Sequence, residues 1–410
     1  MNPLKKYLER VKPYFDEGGK LHALHSVYDG FATFLFTPGT TSAAAGEVHI
    51  HDSIDSKRTM IIVVMALMPC FFFGMYNTGY QHWLACGETS FPFFPLMFYG
   101  FLAILPKVLV SYIVGLGIEF VVAQWRKEEI QEGFLVTGIL VPMICPVETP
   151  TWMMAVAVAF AVIFAKEVFG GTGYNVVNVA LVARAFLFFA YPSKMSGDSV
   201  FVPLGQQFGF GPVPSPQAVD AISGATPLGQ IATSTGEQLQ LTGVDSHLLT
   251  WWDAFVGLIP GSFGETSTLC ILIGAIILVF SGIGNLRIML SVAAGALLMG
   301  WVAHTFATPT YPASYLTAPD HLLFGGLAFA AVFMATDPVT AARTRTGQYI
   351  YGALIGIIAV LIRVYNNGYP EGAMLAVLLM NIFAPLIDWC VVQANIRRRR
   401  NRLTAKTSQQ

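Results

Sequence analysis

Charged residues are scarce in this sequence: they make up 11% of its 410 residues, whereas 54% of the residues are hydrophobic. Soluble domains usually contain about 25% charged residues. The composition therefore excludes an ordinary soluble domain and predicts an all-α polytopic membrane protein. The net charge of −1 gives no reason to expect a nucleic-acid partner.

Cysteine is also scarce, and its five copies are scattered without a CxxC pair. Most of them lie in apolar runs, where a cysteine usually serves as a small buried hydrophobe. An iron–sulfur or zinc site within this chain is therefore not expected. His49 and His51, followed by Asp52, have the spacing of a metal site, but no further ligand is near them in the sequence, so no metal site is predicted there.

Lysine and arginine are absent from residues 195–265, which separate two strongly apolar blocks. Most basic residues elsewhere fall on one side of the membrane if the chain crosses it ten times, and that side is then the cytoplasm. Both termini are predicted to be cytoplasmic and the central loop periplasmic, with Lys107, Lys194 and Arg363 as exceptions near outer segment ends. The ten predicted spans are 59–77, 97–123, 133–147, 151–169, 175–192, 266–282, 286–306, 321–336, 347–365 and 372–393.

The two apolar blocks resemble each other at an offset of 192 to 195 residues, either because they are a true repeat or because Ala, Leu and Gly are common in membrane helices. Cys145-Pro146-Val147 parallels Asp337-Pro338-Val339, and each follows a glycine and an apolar run. Five spans per block give the blocks opposite orientations, as in the inverted repeats of transporters and channels. The predicted units are 1–58, a cytoplasmic extension; 59–192 and 266–395, the repeats; 193–265, the outer loop; and 396–410, a basic cytoplasmic tail.

The outer loop contains Ser223-Gly224-Ala225-Thr226, a hydroxyl flanked by small residues that a bulky group can approach. Glycine and proline around the motif favour turns rather than helices over 205–229, and an ordinary solvent-facing turn is the alternative interpretation. Residues 257–267 precede the sixth span and either expose a helix N-terminus to a phosphate or form a capped helix start. Glu265 argues against an anion site there unless a cation intervenes.

Two carboxylates, Glu119 and Asp388, lie inside predicted spans. Carboxylates are costly in a membrane, so a functional role is the first hypothesis, and the alternative is that they cap neighbouring helices or lie at the membrane interface. Glycines beside Glu119 leave room for a flat ligand or for another helix. On the inner side, Asn175 and Asn178 start the fifth span and either hydrogen-bond a polar ring or cap the helix.

Seven blocks in order resemble the NqrB family, the B subunits of bacterial sodium-translocating NADH:quinone reductases, and the resemblance runs along nearly the whole chain. The blocks are Asp52–Arg58, Lys166–Gly173, Arg184–Pro192, Ser223–Thr226, Ile259–Ser262, Met334–Val339 and Tyr369–Gly372. The resemblance implies a fold of two inverted five-helix repeats similar to urea and ammonium channels. It also implies membership of a six-subunit reductase in the bacterial inner membrane that couples NADH:quinone oxidoreduction to Na⁺ export.

The resemblance also implies cofactors and site residues. Thr226 would carry FMN in a phosphoester bond placed by a flavin transferase, with Ser223, Gly224 and Ala225 as motif neighbours. Riboflavin would lie near Asn175 and Asn178, and ubiquinone near Gly115 and Glu119. Asp388 would take part in sodium handling. Family members often have a glycine at the position of Leu116, so the resemblance leaves the shape of the quinone pocket open.

Two other functions stay open at this point. RnfD, the related membrane protein of the Rnf ferredoxin:NAD oxidoreductase, shares the fold and the flavinylated threonine, although the N-terminal extension of this chain disfavours it. A urea- or ammonium-type channel without redox chemistry is the alternative from another class, and flavin absorbance of the purified chain would exclude it.

Overall fold

The computed structural model describes residues 3–15, 25, 28, 32, 36, 56–126, 133–196, 200–214, 222–234, 240–366 and 368–407. Across these ranges the chain is helical and contains no β-strand, apart from the isolated bridges Gln207–Phe210 and Thr242–Leu248. The all-α prediction is therefore confirmed. The pair His49 and His51 lies outside the described residues, as does most of the extension 1–58.

Nine apolar helices of more than ten residues form the body of the described chain. Six belong to segments long and apolar enough to cross a membrane, and the other three, Phe134–Ile144, Val179–Ala190 and Thr268–Phe280, are shorter. The helices are α1 (Ser56–Ala85), α2 (Phe93–Arg126), α3 (Phe134–Ile144), α4 (Thr151–Ala161), α5 (Val179–Ala190), α6 (Thr268–Phe280), α7 (Leu286–Thr305), α8 (Arg345–Tyr365) and α9 (Ala373–Thr407). Each lies in or overlaps one predicted span, and the chain is a multi-pass membrane protein.

The eighth predicted span, 321–336, is not one continuous helix. It consists of the short helices Asp320–Leu323 and Leu327–Phe329 and the π-helical turn Ala330–Met334. Gly325 between them has a φ of +75°, a left-handed conformation that breaks an α-helix. The count of ten helices and the inverted repeat remain predictions.

Two helices extend well past the predicted ends of their spans. α1 continues to Ala85, past residue 77, where the first predicted span ends, and α9 continues to Thr407, into the predicted basic tail 396–410. Arginine, leucine and alanine are good helix formers, and no glycine or proline follows Pro385 within α9. Residues 396–407 of the basic tail therefore continue the last membrane helix.

Glycines let the helices of the bundle approach closely. On α7, a side-chain carbon at Gly295 would meet the carbonyl oxygen of Ala353 on α8, and on α8 one at Gly356 would meet that of Val292. Gly79 of α1 lies in the same way against Leu96 of α2. Small residues at helix contacts are the usual device for dense packing in membranes, where lipid already surrounds apolar side chains.

Part of the outer loop is fixed to the ends of α1 and α2 by a buried histidine. The His82 ring stacks on Tyr99 with 4.1 Å between centroids. Its Nδ1 lies 2.6 Å from the carbonyl oxygen of Pro203, and the Tyr99 hydroxyl donates to that of Gly205 at 2.5 Å. These contacts give the loop a defined position without regular secondary structure.

Candidate functional site

The Ser223–Thr226 motif ends at the start of a short helix. Thr226 is the N-cap of Pro227–Thr233, and its Oγ1 accepts a hydrogen bond from the Gly229 N–H at 3.1 Å. Ser223 is exposed, Gly224 and Ala225 are buried, and Thr226 is half-buried. The expectation of turns throughout 205–229 is wrong from Pro227 onwards, because threonine at the N-cap followed by proline is a favoured helix start.

A cavity of about 200 Å³ opens beside Thr226. Phe188 and Tyr369 form an aromatic part of its wall, with 4.4 Å between their ring centroids. Arg184 and Glu371 line it as well. Thr226 therefore borders a space that combines aromatic surface with charged groups.

A buried charge cluster lies next to this cavity. Arg184 Nη1 is 2.7 Å from Glu265 Oε1, its Nη2 contacts Glu371 Oε2, and Nη2 lies 3.5 Å from Ser262 Oγ. Arg184 is the cation whose presence the sequence left open beside Glu265. A second, smaller cavity of about 30 Å³ is lined by Thr226, Ser262, Glu265 and Glu371. Thr226 thus lines both cavities, as does Glu371 of the charge cluster.

The segment 257–267 forms a capped helix start, the second of the two interpretations. Ser267 is the N-cap of α6, and its Oγ accepts a hydrogen bond from the Cys270 N–H at 3.2 Å. The side chain satisfies a backbone donor that an anion would otherwise take.

A separate cavity of about 110 Å³, called the inner cavity after the predicted side of these residues, is lined by both Asn175 and Asn178. Asn178 caps α5 by accepting from the Leu181 N–H at 3.2 Å, and its amide donates to Asp337 at 3.4 Å. Asn175 donates to the Val177 carbonyl oxygen at 3.2 Å. Asn175 precedes α5, which begins at Val179 rather than at 175. The structure thus brings the two asparagines together at one cavity.

Glu119 and Gly115 lie on the buried face of α2. Glu119 Oε1 pairs with the ammonium group of Lys166, and both side chains are 5% exposed. A side-chain carbon at Gly115 would meet the ring of Phe134, whereas none of the described residues comes within 4 Å of such a carbon at Gly117. Gly115 therefore accommodates a neighbouring helix, and the quinone role of this region remains a prediction.

Asp388 caps the start of a neighbouring helix. Its Oδ2 accepts from the Arg343 N–H at 2.7 Å, and its Oδ1 accepts from the Thr344 N–H at 3.0 Å and the Thr344 hydroxyl at 2.5 Å. Thr344 in turn caps α8. The capping alternative is found, and a part in sodium handling stays a prediction.

The sequence did not reveal the ion-pair partners of Glu119, Glu265 and Glu371. The sequence pattern groups Lys166 with the inner basic residues, but it is buried at 4% exposure within the segment Thr151–Phe169. Arg184 is noted in the sequence only as the first residue of the family-like segment Arg184–Pro192. A basic residue inside the apolar helix α5 is itself a signal of function. The described residues include no group of three or more His, Cys, Asp or Glu side chains that could hold a metal ion.

Together these features define a multi-pass helical membrane protein with separate polar cavities, each bordered by buried ion-paired side chains. The chain belongs to the NQR2, RnfD, RnfE family, whose model matches residues 43–397. A protein of Klebsiella pneumoniae strain 342, named as the B subunit of the Na⁺-translocating NADH-quinone reductase, is 42% identical over 97% of this chain and 99% of its own length. Proteins with the same name from Yersinia pestis and Neisseria meningitidis serogroup B are each 41% identical, with the same coverage.

Proposed function

We propose that this chain is the membrane electron-transfer subunit of a sodium-pumping NADH:quinone reductase. In this proposal FMN is bound covalently to Thr226 and riboflavin lies in the cavity of Asn175 and Asn178. The name of the relatives supports the overall function, because they match almost their full length to this chain. The other subunits of a six-subunit complex, ubiquinone, Na⁺ and a flavin transferase would be its partners.

The position of the Thr226 hydroxyl is the observation that carries the flavin proposal. Thr226 is half-buried at the edge of a cavity of about 200 Å³, and its Oγ1 acts as a hydrogen-bond acceptor towards the Gly229 N–H. The hydroxyl hydrogen is not needed for that bond, so a phosphoester on the oxygen is compatible with the helix cap. Phe188 and Tyr369 offer aromatic surface for a flat ring.

The inner cavity has the polarity that a second flavin requires. Apolar walls, including Leu140 and Phe333, surround the amides of Asn175 and Asn178. A flat heteroaromatic ring needs apolar faces and a few fixed donors and acceptors at its edge, and these residues supply both. Flavins exchange one or two electrons, and the surrounding protein tunes their potential.

The chain's own residues would orient the reactants and balance charge. Electrons from NADH would enter through other subunits, and quinone would be reduced near Glu119. Asp388 would contribute to the sodium path. The protein would lie in the bacterial inner membrane with both termini in the cytoplasm and Thr226 on the periplasmic side, as the distribution of basic residues predicts.

Peptide mass analysis of the purified complex tests the attachment of FMN. The peptide that contains Thr226 should carry an FMN-sized mass that alkaline treatment removes, and Thr226→Val should abolish it. Thr233→Val is the matched control, because Thr233 is an exposed threonine of the same short helix. An unmodified Thr226 peptide from the active wild-type complex would disprove the attachment.

A second experiment tests Glu119. Glu119→Gln should slow quinone reduction while reduction of the flavins by NADH stays intact. Loss of flavin reduction would contradict the assignment of Glu119 to the quinone site. Absence of visible flavin absorbance from the purified chain would favour the channel alternative instead.

A further inference from the structure

The ion pair of Lys166 and Glu119 joins the inner cavity to α2. Both side chains are 5% exposed, so the pair is shielded from solvent. Glu119 Oε2 is buried and has no hydrogen-bond partner among the described residues. An ammonium group has three donors, and the hydrogen bond to Glu119 uses one of them.

Lys166 also lines the inner cavity, together with Asn175, Asn178 and Asp337. Lys166 is the only basic residue among the described residues that line this cavity. Asp337, the acidic one, accepts hydrogen bonds from the Val339 N–H at 3.0 Å and from Asn178 at 3.4 Å. Lys166 therefore faces the cavity on one side and Glu119 on the other.

We propose that Lys166 is a positioning residue that couples negative charge gained in the inner cavity to the charge on Glu119. This inference rests on the proposed function, which assigns a flavin to that cavity. One electron delivered from NADH adds one negative charge there, Lys166 keeps its proton, and no bond to the chain forms or breaks. Because buried charges are weakly screened, the single ammonium group interacts with both negative charges.

The two members of the pair should therefore act on the cavity in opposite directions. Lys166 favours an added electron in the cavity, and Glu119 opposes it by partly neutralising Lys166. A merely structural pair would not give shifts of opposite sign, since loss of either partner would disturb the same packing. The sign of the change in reduction potential thus separates coupling from structural support.

The test is a redox titration of the non-covalent flavin in the purified complex. Lys166→Met should lower the equilibrium constant for one-electron reduction of this flavin at least tenfold. The reduction potential of a one-electron couple then shifts by ~59 mV in the negative direction. Glu119→Gln should shift the potential in the positive direction, and Lys166→Arg should restore a value near that of the wild type. Unshifted potentials, or shifts of the same sign in Lys166→Met and Glu119→Gln, would overturn the inference.

The neighbouring pair of Arg126 and Glu167 provides the matched control. Arg126 Nη1 lies 3.5 Å from Glu167 Oε2 with 30% of the arginine side chain exposed, and neither residue lines the inner cavity. Arg126→Gln should leave the potential unchanged. A shift as large as that of Lys166→Met would show a general charge effect and would overturn the coupling.

Two further measurements keep the outcome decisive. The double variant Lys166→Met/Glu119→Gln buries no lone charge and should assemble even if a single variant does not. The reduction potential of its non-covalent flavin should return towards the wild-type value. A reduction potential in the double variant as low as that in Lys166→Met would overturn the coupling. Non-covalent flavin is quantified first: its absence from the wild type would contradict the proposed function as well, whereas flavin with an unshifted potential would overturn only the coupling.

Discussion

Arg184 and Glu265 form a buried ion pair in which Nη1 lies 2.7 Å from Oε1 and each side chain is 6% exposed. Glu371, near the start of α9, contacts the other terminal nitrogen of the same guanidinium group. One arginine of α5 therefore joins the segment that leads into α6 and the segment that leads into α9. Thr226 lies at the cavities that these three residues line.

Removal of Arg184 should strongly destabilise the fold. Arg184→Met leaves two carboxylates without their cation, and loss of one partner of a buried pair costs about 3–5 kcal/mol. The midpoint of thermal unfolding of the purified protein should fall well below that of the wild type. Arg343→Met at an exposed position is the control, and equal midpoints for the two variants would refute the structural role of the cluster.

The glycines of α2 should differ in their tolerance of a methyl group. Gly115→Ala places a carbon against the Phe134 ring and should cost about 1–3 kcal/mol through overpacking. Gly117→Ala meets open space among the described residues and should stabilise the helix by up to about 1 kcal/mol. Thermal unfolding of both variants measures the difference. Phe134→Leu should partly rescue Gly115→Ala, and a lack of rescue would contradict the contact.

Asp388 and Thr344 allow helix capping and sodium handling to be separated. Asp388→Asn and Thr344→Val both remove hydrogen bonds at the start of α8, so each should lower stability by about 1–3 kcal/mol. Only Asp388→Asn removes the carboxylate, and it alone should raise the Na⁺ concentration for half-maximal quinone reduction. Equal sodium dependence in the two variants would leave Asp388 as a cap only.

Thiol labelling of intact cells should report the side on which each loop lies. Ser223→Cys is exposed in the outer loop and should react with a membrane-impermeant reagent added outside, whereas Arg402→Cys at the end of α9 should not. The native Cys86 should react slowly because burial raises the pKa of its thiol to about 11. Labelling of Arg402→Cys from outside would reverse the predicted topology.

Much of the helical framework could be predicted from the sequence. Apolar runs mark nine of the ten expected spans as helices, because burial in lipid requires every backbone group to bond within its own helix. The eighth span could not be predicted in the same way. Gly325 has a left-handed backbone there, and the helix that the hydrophobic pattern suggests is broken into short turns.

The sequence suggests helix capping as one role for Asn178 and Asp388, but it does not decide between capping and the other possible roles. The sequence allows Asn178 either to cap α5 or to contact a ring, and the structure shows the cap together with a place at a cavity. For Asp388 the structure shows hydrogen bonds to the start of α8, 44 and 45 residues earlier in the chain. A cap across that separation depends on how two helices pack, which the local pattern does not encode.

The sequence by itself determined the membrane class, the helical segments, the unusual outer loop and the family resemblance, because composition, hydrophobic runs and ordered motifs are properties of the chain alone. Only the tertiary structure decided which charges neutralise each other. Lys166 meets Glu119 across 47 residues, and Arg184 meets Glu265 across 81 and Glu371 across 187. Such pairs form because helix packing brings their side chains together out of water, where an unpaired charge is too costly to bury.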